Sequence, residues 1–380
     1  MAPAPAEPAS QGSPLKVTRL QLRDFRNYEG ADLELPPGLA VVAGPNGAGK
    51  TNLLEALYFG CTGRSPRTGN ERELIRRGAA LARVVVHTAD QEGSHRIEVG
   101  FEPGEAKSLR VDGSPVHNLS ALEQRPLVSV FLPERLELVK GAPSARRAHL
   151  DQVVAALWPA RAGTRSAYSR ALAQRNALLA RIRARAAGTG ALDAWDAELA
   201  RHGIALMEDR QEALAGVAGP FAELAARLGL PGPAELCYRP RSSASDAGQL
   251  AGELAERRES DLERGFTVHG PHRDEVSFLL DGAPLRAYGS QGQQRTTVLA
   301  LLFAERELLA ARRARPPLML LDDVMSELDA ERRELLAGLL RSGGQAVVSA
   351  TEVEHVPGAE DAEVLRVEAG SVRALVGLEA

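Results

Sequence analysis

Cysteine is nearly missing from this chain, with only Cys61 and Cys237 among 380 residues. Two thiols so far apart exclude a disulfide framework and a zinc site, and both read as small core residues suited to a reducing cytoplasm. No apolar run approaches the roughly 20 residues that span a bilayer, so no membrane segment is expected. Residues 1–14 are rich in Ala and Pro, without a basic start or an apolar centre. They predict a disordered tail rather than a signal peptide. The net charge is −4, so no global basic field advertises nucleic acid, and any polyanion must be held by a local patch. Aromatics are 4% of residues, which favours contact with a duplex backbone over a groove that stacks single-stranded bases. Lysine is scarce too: of 46 Lys and Arg, only Lys16, Lys50, Lys107 and Lys140 are lysine.

One of those four sits where chemistry needs a lysine. Gly44-Pro45-Asn46-Gly47-Ala48-Gly49-Lys50-Thr51 lies between the apolar run Leu39–Ala43, which predicts a buried strand, and Asn52–Tyr58, which has helical spacing. In that context the glycines let successive N–H groups converge on phosphate oxygens, and the helix start adds its positive end. Lys50 can reach the β- and γ-phosphates, and Thr51 offers a hydroxyl to Mg²⁺. The segment predicts binding of a nucleoside triphosphate, with ATP and Mg²⁺ as the expected ligands.

With 44% apolar residues, the chain can bury a large core, as one main domain plus a second lobe. Residues 15–143 are strand-rich, with candidate strands at Val17–Leu22, Leu33–Leu35, Arg83–Thr88, His95–Phe101, Lys107–Val111 and Leu127–Leu132. Residues 144–264 turn to Ala/Leu/Arg/Glu-rich helices, with breaks expected at Gly163, Gly188–Gly190, Gly219-Pro220 and Pro231–Pro233. Residues 265–380 return to strands and helices: a helix over Gly292–Arg313, a strand at Leu318–Leu321, a helix near Asp329–Leu340, a strand at Gln345–Ala350, and a terminal hairpin of Glu363–Val367 with Val372–Val376. The expected architecture is an α/β body, split by a helical arm lobe, whose second half is C-terminal.

Leu318–Leu321 runs into Asp322-Asp323. A buried strand ending in carboxylates places them at the edge where open α/β sheets bind ligands. Asp322 is the expected Mg²⁺ partner, and Asp323 is placed to polarise an attacking water, giving Lys50 and Asp323 the catalytic roles. Ser290-Gln291-Gly292-Gln293 starts a long apolar-periodic helix 32 residues before Asp322. It offers further free N–H groups for a phosphate contact.

The order of P-loop, Ser-x-Gly-Gln loop and apolar-Asp-Asp resembles the ATPase heads of the ABC superfamily. The finer pattern resembles the RecF family of DNA replication and repair proteins. It is carried by Leu22–Tyr28, the P-loop, Phe131–Glu134 with Lys140–Arg147, Tyr168–Arg170 with Gln174–Asn176, His269–Asp274, SQGQQR and LLDDVMSELD. The resemblance implies ATP sandwiched between two copies of the chain, with Ser290, Gln291, Gly292 and Gln293 of one facing the P-loop of the other and Ser326–Asp329 crossing the interface. It implies an ATP-dependent homodimer and a weak, DNA-stimulated ATPase in which ATP acts mainly as a switch. It also implies action in the cytoplasm at gaps and single-strand/double-strand junctions, aiding RecA loading with RecR and RecO in DNA repair, recombination and the SOS response. ABC heads generally carry Asp-Glu where this chain has Asp322-Asp323, and the shorter carboxylate predicts slow hydrolysis. Glu134 lies where such heads sense the γ-phosphate and is a candidate metal contact.

Between Gln152 and Leu192 there are seven arginines and no acid. On a helix over Thr164–Arg185, Tyr168, Leu172, Leu179 and Ile182 share one side by 100° steps, while Arg170, Arg181 and Arg185 fall on the other. Arg170, Arg175 and Arg181 are the candidate DNA contacts, since backbone charge pairing needs no base readout. Two other classes compete: an ATP-binding subunit of a membrane transporter, and the ATPase of a nuclease-linked system. Ser290 lies 239 residues beyond Thr51, with a basic helical lobe between, which disfavours the first. The 51 residues after Asp329 are too few for an added nuclease domain, which disfavours the second.

Overall fold

Three strands are buried at every position: Leu39–Ala43, Leu318–Leu321 and Ala346–Ala350. Continuous apolar runs of this kind suit parallel strands covered on both faces. In the computed structural model, which describes residues 14–119, 122 and 125–375, they belong to a six-stranded mixed sheet. Its order is Ser371–Leu375, Glu363–Glu368, Leu39–Ala43, Ala346–Ala350, Leu318–Leu321 and Val128–Phe131, parallel except for the terminal hairpin. Residues 1–13 of the expected tail and Val376 of the expected hairpin lie outside the described residues.

Alternation rather than continuity marks the second sheet. Lys16–Phe25 buries Val17, Leu20, Leu22 and Phe25 and turns Arg19 and Arg23 outward. It pairs antiparallel with Tyr28–Glu34 on one side and Ala82–Ala89 on the other. Ser94–Phe101, Ser108–Val111 and Ser114–Pro115 complete the sheet. The helix Lys50–Thr62 lies in the core between the sheets, its Leu53, Leu57 and Phe59 clustered with Leu20, Val84 and Ile97 as well as Val42, Val130 and Leu320. Gly60 permits the close approach, because a Cβ there would sit 2.4 Å from Val86 Cγ2.

The described chain divides into two compact units: residues up to Arg135 together with those from Arg306 onward, and Leu136–Glu305. The second unit contains the helices Pro143–Leu157, Thr164–Arg183 and Leu192–Arg227. The break expected at Gly219-Pro220 is absent, and Leu192–Arg227 runs through it. Proline forfeits one helical hydrogen bond. Burial of Val217, Phe221 and Leu224 on one face holds the helix across that point, with the Phe221 ring 6.0 Å from Phe278. The unit also contains a strand inside the stretch read as purely helical. Ala234–Arg239 pairs antiparallel with Glu275–Leu280, which in turn pairs with Ala283–Pro284.

The polar run His269–Asp274, whose role the sequence left open, fastens this unit internally. Asp274 is buried and accepts from Tyr238 Oη, from the Arg241 amide at 2.7 Å and from Arg210 Nη1 at 3.2 Å. Arg210 also grips Asp151 at 2.7 and 3.1 Å. His269 Nε2 meets Glu253 at 2.5 Å. His272 Nε2 donates to Thr267 O at 3.0 Å while Nδ1 accepts from Tyr168 Oη at 2.7 Å, so the ring is held neutral.

Burial lowers the His272 pKa to about 4. A histidine lowered from about 6.5 contributes stability that is fully present above its unfolded value and lost as pH falls towards its folded value. Roughly 3 kcal/mol should therefore disappear between pH 6.5 and pH 4. In thermal melts His272→Asn is expected to lose less stability than the parent chain across that window. Equal losses would show that His272 is not the titrating group.

Candidate functional site

The loop Gly44–Thr51 leaves the end of the Leu39–Ala43 strand and enters the Lys50–Thr62 helix. Its shape is set from behind. Asn27 Nδ2 donates to Ala48 O at 2.9 Å, Tyr28 Oη to Gly49 O at 3.0 Å and the Gly370 amide to Ala48 O at 3.1 Å. Asn52 Nδ2 in turn fixes Asn27 through its Oδ1 at 2.8 Å. Peptide groups whose carbonyls are tied back in this way favour an N–H concavity facing outward. Two glycines are required by contact. A Cβ on Gly44 would lie 2.2 Å from Val367 O, and one on Gly49, at φ 121°, would lie 2.6 Å from Asn27 Nδ2. Pro45, Asn46 and Gly47 are exposed at the rim, while Ala48, Gly49 and Lys50 are buried.

Lys50 folds over its own loop, its Nζ donating to Gly44 O at 2.7 Å and Pro45 O at 3.1 Å. Burial lowers its pKa, and the charges of Asp323 and Asp322 pull the other way. Thr51, 271 residues from Asp322 in sequence, donates from Oγ1 to Asp322 Oδ2 at 2.7 Å. Ser349 Oγ donates to the other oxygen, Oδ1, at 2.6 Å and accepts from the Asp323 amide at 3.0 Å. Asp323 has φ +47°, an uncommon backbone state outside glycine that aspartate tolerates. The fold thus brings Lys50, Thr51, Asp322 and Asp323 to one place. A hydroxyl and a carboxylate side by side form the hard-oxygen set that suits Mg²⁺, which takes few protein ligands and completes its shell with water and phosphate.

Sequence reading missed three supports: Asn27 and Tyr28 behind the loop, and Ser349 beneath the acidic pair. Ser349 had one visible signal, as a lone hydroxyl in the otherwise apolar strand Ala346–Ala350. It also missed the anchor under the loop helix. Glu55 is fully buried and held by Arg26 through two bonds of 2.8 Å, by Ser65 Oγ at 2.6 Å and by Arg67 at 3.2 Å. Glu134, the candidate metal contact, is engaged by Arg67 Nε at 3.2 Å.

The Ser290 loop belongs to the second unit and forms a reciprocal cap at the start of the helix Gln291–Arg313. The Ser290 amide donates to Gln293 Oε1 at 2.8 Å, and the Gln293 amide to Ser290 Oγ at 3.2 Å. Two N–H groups expected to be free are therefore taken internally. Ser290, Gln291 and Gly292 are exposed, and Tyr288 beside them is 79% exposed. Gln294 Nε2 braces the turn through Leu285 O and Gly289 O at 3.1 and 3.0 Å.

The arginine-rich arm is corrected at one position. Arg175 is fully buried, with Nε on Asp196 at 2.6 Å and Nη1 on Asp261 at 2.6 Å and Thr267 at 2.7 Å. It is no surface contact for DNA. Seven residues separate it from Tyr168, so two helical turns return it to the buried face with Tyr168, Ala171 and Leu179. Arg161 pairs with Asp209 and Glu212, and Arg165 with Asp151. Arg170, Arg181 and Arg185 stay exposed.

The two sheets around a P-loop helix, with the acidic strand end at the loop, are those of an ABC-type ATPase head. The chain belongs to the RecF/RecN/SMC N-terminal domain family, whose model matches residues 16–372, and within it to the RecF DNA replication and repair proteins. The RecF of Streptomyces avermitilis is 38% identical over 363 residues, covering 90% of this chain and 95% of that protein. A solved structure of the recombination mediator protein RecF-ATP in the RecFOR pathway superposes with a TM-score of 0.87 at 27% identity, over 96% of this chain and 99% of that one. An Smc head domain from Pyrococcus furiosus shares the fold, with a TM-score of 0.59 at 18% identity over 96% of this chain and 97% of that one. Among the described residues no helix is long and apolar enough to cross a membrane.

Proposed function

We propose that the chain is an ATP-dependent DNA-binding protein of replication and recombinational repair, in which ATP closes a homodimer and slow hydrolysis reopens it. The observation that supports this best is the convergence of Thr51 and Ser349 on the two oxygens of Asp322 beside Lys50. Gly44–Thr51 would grip the phosphates, with Lys50 leaving the Gly44 and Pro45 carbonyls for the β- and γ-phosphates. Thr51 and Asp322 would hold Mg²⁺, which when bound neutralises charge on the phosphates. Asp323 would orient the attacking water, its backbone fixed by Ser349. Its short side chain supports slow turnover and a switching role. The Ser290–Gln293 cap, exposed at Ser290, Gln291 and Gly292, is the surface offered to nucleotide on a second copy.

The arm's exposed Arg170 and Arg181 are the proposed contacts to duplex next to gaps and junctions, in the service of RecA loading with RecO and RecR. The reading of this chain as RecF-like in action is supported by the relative solved with ATP in the RecFOR pathway. Binding of the ATP-loaded chain to a gapped duplex is expected to weaken with salt. Arg170→Ala with Arg181→Ala should reduce the slope of log K against log salt by about two. An unchanged slope would remove this arm face from the DNA contact.

A further inference from the structure

The second unit holds a cavity of about 400 Å³ that the ATP site does not use, walled by Arg146, Arg239, Arg286 and Ser277, with Val139 and Phe278 among its apolar lining. Its polar groups are incompletely satisfied. Arg146 is only 5% exposed, yet its Nε is buried without a hydrogen-bond partner, as is Ser277 Oγ. The other two nitrogens of Arg146 are committed, Nη1 to Gly141 O at 2.9 Å and Nη2 to Glu275 at 2.6 Å. Arg239 and Arg286 come from a different strand and a different turn, are exposed at the mouth, and have no side-chain ion pair among the described residues.

Three guanidiniums against the single carboxylate of Glu275 leave two positive charges, which a phosphate dianion would balance. Arginine forks match phosphate oxygens two at a time, and the forks of Arg239 and Arg286 together with the one uncommitted N–H of Arg146, from three elements, suit a tetrahedral group better than a planar carboxylate. A bare phosphate would fill little of the space. The volume lies in the range of small-molecule sites, and the Val139 and Phe278 walls suit an apolar or planar body behind the anion. We propose that this cavity is a second ligand site, taking a phosphorylated small molecule of mononucleotide size with its phosphate on Arg146, Arg239 and Arg286. Arg286 stands in the turn Leu285–Tyr288, whose Leu285 carbonyl is braced by Gln294, so a ligand held there would stiffen the segment that leads to Ser290.

The test uses the full chain carrying Lys50→Met, so that the P-loop contributes little and the outcome is independent of the ATP reading. Titration calorimetry with dAMP should show binding, tighter than that of inorganic phosphate, with phosphate competing. Adding Arg239→Ala and Arg286→Ala, both at exposed positions, should weaken dAMP at least tenfold and leave the melting temperature unchanged. The proposal is overturned if dAMP gives no binding at about 1 mM. It is equally overturned if the two arginine changes leave dAMP affinity as it was, or if phosphate alone binds as tightly as dAMP.

Discussion

Lys50→Met should lower ATP affinity about 100-fold, because the variant would lose the charge-assisted hydrogen bonds proposed for Lys50 to two phosphates while the loop backbone remains. Ser290→Arg should behave differently. It lies in the other compact unit and should leave nucleotide binding near that of the parent monomer while abolishing ATP-dependent assembly. In sedimentation, the parent chain is expected to pass from monomer to dimer on adding ATP, and both variants to stay monomeric. For ATP to drive closure it must bind the dimer more tightly than the monomer, so the shift measures that difference directly. A parent chain that remains monomeric with ATP at micromolar protein and above would end the sandwich reading.

The second large effect concerns stability. Arg175→Ala would leave Asp196 and Asp261 buried without the guanidinium that lies 2.6 Å from each. Removing one partner of a buried ion pair typically costs about 3–5 kcal/mol. Arg258 still reaches Asp196 Oδ2 at 2.7 Å, so Asp261 is the carboxylate left most exposed to the loss. Denaturant unfolding should show Arg175→Ala strongly destabilised, with Arg170→Ala within about 0.5 kcal/mol of the parent. Any loss of DNA binding in Arg175→Ala would then follow from a loosened arm. If its unfolding matches the parent, the buried cluster does not hold the arm together.

Why Arg170 and Arg175 divide this way is a matter of which face each occupies. Charge and composition along the Thr164–Arg183 helix treat the arginines alike. The helical period could have separated them, since Arg175 returns to the face of Tyr168. A buried arginine, however, is affordable only where acids wait for it. Those acids, Asp196 and Asp261, come from segments that only the fold delivers. The same holds for Pro220, whose effect on Leu192–Arg227 depends on what Phe221 packs against. It holds again for Ala234–Arg239, whose pairing partner begins 36 residues further on, at Glu275.

Three local pieces of the candidate site are legible in the sequence: the Gly-rich loop at Gly44–Thr51, the strand ending in Asp322-Asp323, and the helix that starts after Ser290. Each is a local pattern whose meaning is carried by adjacent residues, and local physics reads it. How those pieces are held depends on contacts that only folding makes. Asn27 and Tyr28 steer the loop carbonyls, Ser349 pins Asp322 and Asp323, Glu55 anchors the loop helix, and Arg146 lines a second cavity. These contacts join residues tens to hundreds of positions apart, and no periodicity or composition records them. They exist because burying polar groups is costly unless partners arrive together, and only the folded chain brings the partners.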